Sequence, residues 1–222
     1  MKQNYISKIF WLWVPLVFII GQVILELILP HELMNASVSE NGPHEILQFG
    51  IISAAALVPL YCFISRKTDK NIIYKFWFGL AFICCVYVAG EEVSWGQHFF
   101  NWNTPESWQA VNDQHETNLH NTSSWLDQKP RLILMLGIVF GTLILPVLVK
   151  KNILKLPDNL KILIPVKEFS FLAFLIISTH IIEKADLFGI DLFVRYSEIQ
   201  EIMLFYFVLI YLVNLLQRLK LP

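Results

Sequence analysis

Six long apolar segments constrain the fold of this 222-residue chain more than any other sequence feature. A helix needs about 20 residues to cross a hydrocarbon core about 30 Å thick, and each segment is long enough to do so. Hydrophobic residues make up 55% of the chain and charged residues 16%, a balance that excludes an ordinary soluble domain. The sequence therefore predicts a single all-α transmembrane domain over residues 1–222. The predicted spans lie near 9–29, 44–65, 74–97, 130–149, 165–185 and 197–217.

The basic residues predict the orientation of these spans. Alternate loops and the two termini place 13 of the 17 Lys and Arg residues on one side of the predicted membrane. Because cytoplasmic loops are enriched in Lys and Arg, both termini are expected on the cytoplasmic side of the membrane. On the same map, 15 of the 18 acidic residues and all six histidines fall in the outer half. Since acids and histidines do not enter the orientation rule, their segregation predicts a polar site at the outer face.

Two adjacent acids, Glu91 and Glu92, stand at the end of the third predicted span. An ionisable group inside a membrane helix costs roughly 2.5–3.5 kcal/mol and by default indicates function. If the helix continues past these acids to residue 97, Glu91, Ser94 and His98 share one face. The sequence therefore predicts that this face contributes to the outer site.

The loop from residue 98 to 129 is long for a compact membrane protein, which favours a functional role. Within it, Thr104-Pro105-Glu106 is typical of a helix start, so an additional outer helix is predicted near 105–121. That helix would place Glu116 and His120 four residues apart on one face, a spacing at which both can bind one ion. The loop is thus expected to cover an outward-facing Glu/His pocket.

These patterns favour a metal-dependent enzyme that acts on a membrane lipid or a lipid-linked substrate. Carboxylates and imidazoles with an open coordination position suit zinc as a water activator, whereas a carboxylate-rich set suits iron or manganese. The predicted metal ligands are Glu91, His98, Glu116, His120 and His180. The predicted acid/base residues are Glu91, Glu92, Glu198 and Glu201. The predicted substrate-binding residues are Gln97, Asn118 and Asn121.

Other interpretations fit the same residues. Glu198 and Glu201 lie in a first helical turn, where the helix dipole alone favours a carboxylate. His180 and Glu183 would also form a local pair, and the loop amides would also serve only to satisfy backbone groups. A proton- or cation-coupled carrier and a non-catalytic assembly subunit are the alternative functions. Nucleic acid is not an expected partner, because the basic residues form no dedicated domain.

Two segments carry a resemblance to a known group. Gly90-Glu-Glu-Val-Ser-Trp-Gly-Gln97 and Glu116-Thr-Asn-Leu-His-Asn121 resemble the signature of a bacterial multi-pass membrane protein family that is itself uncharacterised. The resemblance covers about 30 residues between the third and fourth spans. It implies a multi-pass protein of the bacterial inner membrane but no particular activity. The seven-span layout and histidine pattern of ceramidase and progestin-receptor type hydrolases are not found, which weighs against a zinc amidase.

Overall fold

The computed structural model describes residues 6–37, 42–66, 71–112, 115–186, 194 and 196–219, and within them all regular secondary structure is helical. The α-helices are α1 (Val14–Ile28), α2 (His31–Ser37), α3 (Pro43–Ile64), α4 (Ile72–Glu92), α5 (Gln97–Phe100), α6 (Glu106–Gln109), α7 (Ser124–Val139), α8 (Leu145–Lys150), α9 (Asp158–Lys161), α10 (Ser170–Asp186) and α11 (Tyr196–Arg218). A π-helical turn leads into α1, and a second one, Phe140–Ile144, joins α7 to α8. The predicted all-α class is therefore confirmed for the described residues.

Five helical segments are long and apolar enough to cross a membrane. They are Ile9–Ile28, Pro43–Ile64, Ile72–Glu92, Gln128–Lys150 and Tyr196–Arg218, each of 20–23 residues. The remaining predicted span, near 165–185, corresponds to α10, which has 17 residues. Five apolar helices of this length indicate a multi-pass membrane protein.

Local sequence explains where several helices begin. Pro43 occupies the first turn of α3, where its missing N–H needs no partner. The Asn71 side chain accepts from Ile73 N and Tyr74 N and so caps α4, while Ser123 caps α7 through Leu126 N. These caps satisfy backbone donors that have no partner within their own helix.

The last helix, α11, is the centre of the bundle. In its membrane-spanning stretch 67% of the residues are buried, compared with 11–33% in the other four spans. It packs against α3 and α10, and α3 packs in turn against α4. The other spans expose large apolar side chains, as expected for helices in contact with lipid.

Polar contacts join one end of the bundle, where α3 and α11 begin and α4 ends; we call it the site end. Gln48 of α3 donates to Glu198 and Glu201 of α11. The end of α1 is linked to α3 by Gln22, whose Oε1 lies 2.9 Å from Nε2 of His44. The acids and amides of four helices are therefore gathered at a single end.

Candidate functional site

A left-handed turn ends α4 and begins the site. Ser94, Trp95 and Gly96 have φ angles of 46°, 56° and 104°, in the region that only glycine adopts without strain. The helix therefore stops at Glu92 instead of continuing to residue 97, and α5 starts in a new direction. The predicted common face of Glu91, Ser94 and His98 is wrong for this reason.

The turn places the Trp95 ring against the backbone of Gly90. A Cβ at Gly90 would lie 2.8 Å from Trp95 Cε3, so a larger residue does not fit. The same indole donates from Nε1 to Glu91 Oε1 at 2.7 Å, and Leu119 N donates to Glu91 Oε2 at 2.7 Å. Glu91, 4% exposed, thus connects the end of α4 to the turn and to the loop.

Replacing Gly90 with alanine is expected to lower stability by about 1–3 kcal/mol, because the added methyl group must displace a packed indole ring. Gly50→Ala is the matched control, since nothing lies within 4 Å of a Cβ at this position in α3. For Gly50→Ala we expect the free energy of unfolding to rise by about 0.5–1 kcal/mol, because alanine has a better helix propensity than glycine. Thermal unfolding of both variants in the same detergent measures the difference; equal shifts would contradict the packing described here.

The loop that follows is mostly not helical, so the predicted helix over 105–121 is wrong. A short helix, α6, begins at Glu106, as the Thr104-Pro105 pattern predicts, but it ends at Gln109. Side chains then bond the loop backbone: Gln109 Nε2 donates to Thr104 O at 2.7 Å, and Glu116 N donates to Asn112 Oδ1 at 3.0 Å. Such bonds compete with helical ones and explain the early end.

Gln97, a predicted substrate-binding residue, holds this loop against α5. Its Nε2 donates to Thr104 Oγ1 at 2.7 Å and to Trp102 O at 3.2 Å. Its Oε1 accepts from the backbone N and from Oγ1 of Thr117, at 2.8 and 2.9 Å. These four bonds engage the NH₂ group and the carbonyl oxygen of the amide, with two bonds to each.

A buried carboxylate, Glu116, connects the loop to the turn. Its Oε2 accepts from Ser94 Oγ and, at 2.8 Å, from Asn118 Nδ2, and its Oε1 lies 2.7 Å from His98 Nε2. Asn112 Nδ2 donates to Asn118 Oδ1 at 2.9 Å. We call Ser94, His98, Asn112, Glu116 and Asn118 the Glu116 cluster. It brings together the two signature segments, which are about 20 residues apart in sequence.

His98 links the Glu116 cluster to a second group of acids. Its Nδ1 lies 3.9 Å from Glu45 Oε2, on the side of the ring opposite to Glu116. Glu45 in turn acts electrostatically on Glu92, as do Glu198, Glu201 and Arg131. We call the four acids the carboxylate cluster; its members are Glu45, Glu92, Glu198 and Glu201.

Two side chains bind the carboxylate cluster directly. Gln48 Nε2 lies 3.0 Å from Glu198 Oε2, 3.1 Å from Glu198 O and 3.2 Å from Glu201 Oε2. Arg131 Nε lies 3.0 Å from Glu201 Oε1. Among the described residues that act electrostatically on Glu92, Arg131 is the one cation.

The predicted metal ligands do not come together as one set. His98 and Glu116 are in contact, but Glu91 binds Trp95 and Leu119. His180 Nδ1 pairs with Glu183 Oε2 at 3.2 Å on α10. The His120 side chain lies outside the described residues, and in the part of the chain that is described no three His, Cys, Asp or Glu side chains are placed to hold a metal ion.

The remaining predicted site residues fall into two groups, acids in the carboxylate cluster and amides in the loop. Glu92, Glu198 and Glu201 lie together in the carboxylate cluster. Asn118 uses both amide hydrogens within the Glu116 cluster, and Asn121 donates its backbone N to Asn118 Oδ1 at 3.3 Å. The predicted substrate-binding amides thus contribute to the folding of the loop.

Sequence reasoning did not assign Gln48 or Arg131 to the site. Arg131 is a charged residue within a predicted span, a signal that by itself suggests function. Gln48 follows Glu45 by three residues on α3, so the two share a helical face.

The chain matches no protein-family model, no curated protein and no solved structure. Its function is therefore inferred from the geometry and charge of the site.

Proposed function

We propose that the chain crosses the bacterial inner membrane six times, with α10 as the additional span, both termini in the cytoplasm and the site end facing outward. The alternation of Lys and Arg between successive loops supports this orientation. Membership of the resembling family is proposed on the two signature segments, Gly90–Gln97 and Glu116–Asn121.

We propose that the protein is a membrane enzyme that uses the carboxylate cluster as an acid/base centre. The observation that carries this proposal is that Gln48 joins Glu198 and Glu201 while Arg131 pairs with Glu201. Glu92 lies close enough to interact with these groups and with Glu45. In a low-dielectric site, neighbouring carboxylates disfavour one another's charge, which favours the sharing of protons among them. Carboxyl groups that share protons both donate and accept them, which is the requirement for general acid/base catalysis.

Each member of the cluster then has a distinct role. Glu92 and Glu198 exchange protons with the substrate, while the ion pair with Arg131 holds Glu201 in place. Gln48 fixes the relative positions of Glu198 and Glu201 through its Nε2. Glu91, although predicted as an acid/base residue, anchors Trp95 and the loop in this proposal.

A proton path would connect the cluster to external water. Glu116, His98 and Glu45 form a carboxylate, imidazole and carboxylate series from the loop to the cluster. Histidine is suited to this role because both of its ring nitrogens can exchange protons near neutral pH. Each turnover could thus restore the protonation state of Glu92 without opening the bundle.

A lipid or lipid-linked substrate fits the surroundings of the site. The loop and the start of α7 expose large aromatic side chains at the site end, and aromatic residues are enriched at membrane interfaces. These exposed residues include Phe99, Phe100, Trp102 and Trp125. A substrate in the outer leaflet would reach the cluster sideways, between helices whose outward faces are already apolar.

Glu92→Gln tests the acid/base proposal. We expect at least a 100-fold loss of turnover, since general acid/base groups typically contribute 10²–10⁴-fold. Stability should be unchanged or higher, because the substitution removes one of several like charges. The measurement is product formation, by mass spectrometry, from bacterial polar lipids supplied to the protein in nanodiscs, together with thermal unfolding.

Glu106→Gln is the matched control, because Glu106 is an exposed glutamate in the same loop. Full turnover by Glu92→Gln would refute the proposal. Metal analysis and chelator treatment of the same preparation address the predicted zinc, iron or manganese: loss of turnover on chelation, with recovery on adding one of these metals, would favour the metal-dependent form.

A carrier is the second candidate, and one observation favours it. Asn214 is 1% exposed, and neither polar atom of its side chain has a hydrogen-bond partner among the described residues. It lies about 20 Å along α11 from Glu201, in the half of the bundle away from the site end. Proton flux into liposomes that is abolished by both Glu92→Gln and Asn214→Leu would favour a carrier over an enzyme.

A further inference from the structure

The short segment between α4 and α6 exposes four large aromatic side chains. The exposed fractions are 50% for Trp95, 58% for Phe99, 77% for Phe100 and 41% for Trp102. We call these four side chains the aromatic surface. Residues 93–105 contain no Lys, Arg, Asp or Glu, so the segment carries no side chain of these types that would hold it in water. A group of exposed apolar side chains of this kind marks a contact with a membrane or with another protein.

The rings of the aromatic surface are held in place by contacts. The Phe100 and Trp102 rings stack, with centroids 6.0 Å apart and an angle of 9° between their planes. Both rings lie against Gly96, where a Cβ would be 3.2 Å from Trp102 Cη2 and 3.4 Å from Phe100 Cδ2. The Trp95 ring packs on Tyr87 of α4, with centroids 6.0 Å apart. The surface is therefore built by the left-handed turn that ends α4.

Phe99 indicates the depth at which this segment lies. Its ring centroid is 5.6 Å from that of Phe49 on α3. Phe49 follows Pro43, the first residue of α3, by about 9 Å along the helix axis at 1.5 Å per residue. His98 Nδ1 lies 3.9 Å from Oε2 of Glu45, which is in the first turn of α3. The helix α5 thus lies beside the first two turns of a span and not beyond its end.

The aromatic surface is continuous with the outward apolar faces of two spans. Near the site end, Ile46 of α3 is 62% exposed, and Val86 and Tyr87 of α4 are each 41% exposed. Tyr87 contacts Trp95, which joins the exposed face of α4 to the aromatic surface. In a multi-pass protein such faces contact lipid, and aromatic side chains are enriched where acyl chains meet headgroups. Lipid therefore accounts for this continuity, which a protein partner would not require.

We propose that the aromatic surface lies within the bilayer, at the boundary between headgroups and acyl chains of the leaflet at the site end. The partner is a lipid surface, and α5 enters it beside α3 after α4 has ended. This inference is independent of the proposed function, because it concerns what holds the loop and not the chemistry of the carboxylate cluster. Since α5 also carries His98, it connects the bilayer to the Glu116 cluster.

A nitroxide label at Phe100→Cys tests the proposal, because Phe100 has the most exposed of the four side chains. The label is attached in a Cys84→Ser background, since Cys84 is exposed, whereas Cys62 and Cys85 are buried and protected from the reagent. The protein is reconstituted in liposomes of phosphatidylethanolamine and phosphatidylglycerol. Oxygen, which concentrates among acyl chains, should relax the label more strongly than a water-soluble nickel chelate does.

Glu106→Cys in the same background is the matched control, since Glu106 is also exposed but is charged and lies in the next helix, α6. At this position the nickel chelate should be the stronger relaxant. A nickel effect at position 100 as strong as that at position 106 would overturn the proposal. Protection of position 100 from both reagents would overturn it too, because a second copy of the chain or another protein would then cover the surface.

Cross-linking of the wild-type protein gives an answer that needs no variant. A phosphatidylcholine with a diazirine near the headgroup end of one acyl chain is added to the same liposomes and illuminated, and mass spectrometry locates the attached lipid. We expect attachment within residues 95–102, with the exposed face of α4 near Val86 as the positive reference. Attachment to α4 with none at 95–102 would contradict the proposal, even if Phe100→Cys does not fold.

Discussion

Replacing Arg131 with methionine is expected to lower the free energy of unfolding by about 3–5 kcal/mol. The Arg131 and Glu201 side chains are only 12% and 18% exposed, and their ion-pair distance is 3.0 Å. Removing the arginine leaves Glu201, which is largely shielded from water, near other carboxylates without this cation. The cost arises mainly from the charge that the arginine no longer balances and only in part from the lost contact.

A double-mutant cycle separates these two contributions. Glu201→Gln in the Arg131→Met background should recover a large part of the lost stability, because it removes the charge that the arginine balanced. Lys161→Met is the control for loss of an ordinary ion pair. Lys161 pairs with Asp158 at 2.9 Å, but their side chains are 48% and 95% exposed. The control should therefore change stability little, because water and salt screen an exposed pair.

The cycle compares the unfolding of four proteins in the same detergent: the wild type, Arg131→Met, Glu201→Gln and the double variant. Lys161→Met is measured beside them. An Arg131→Met effect no larger than that of Lys161→Met would show that Arg131 does not compensate buried charge. Additive effects of the two site substitutions would show that Arg131 and Glu201 are not coupled.

Glu116→Gln is expected to release the loop locally without unfolding the bundle. The Glu116 carboxylate accepts from Ser94 and Asn118 and contacts His98 Nε2 at 2.7 Å. A glutamine presents an N–H group to at least one of these donors, so at least one charge-assisted bond is lost, at about 1.5–3 kcal/mol. Amide exchange in the loop should rise roughly 10- to 150-fold.

Hydrogen exchange followed by mass spectrometry measures this effect. The informative amides are Glu116 N, which donates to Asn112, and Leu119 N, which donates to Glu91. Peptides from α3 and α11 should keep their wild-type protection. Glu106→Gln is the control in the same loop, since Glu106 is exposed. Unchanged exchange at 115–121 would show that Glu116 does not hold the loop.

Sequence reasoning was most successful where one local property decides the structure. Apolar length predicted six spans, five of which correspond to helices long and apolar enough to cross a membrane, and Pro43 marked the first turn of α3. It failed where side chains override the helical pattern. The helix does not continue beyond Glu92, because the residues from Ser94 to Gly96 adopt left-handed conformations and the Trp95 ring packs on the backbone of Gly90.

The candidate site was predictable only in part. The excess of acids and histidines in the predicted outer half indicated a polar site, and Glu92, Glu198 and Glu201 lie together as members of the carboxylate cluster. The partners of those acids were not evident. Spacing along a presumed helix paired Glu116 with His120, whereas in the folded loop Glu116 contacts His98, 18 residues earlier.

The sequence by itself determined that this chain is helical and multi-pass, because the length of an apolar segment and the cost of exposing backbone in lipid are local properties. Only the tertiary structure decided which polar groups meet. Gln48 reaches Glu198 and Glu201 across 150 and 153 residues, a contact that depends on the packing of α3 against α11. No spacing rule spans such a separation, since it is the burial of helix faces that brings these side chains to one end of the bundle.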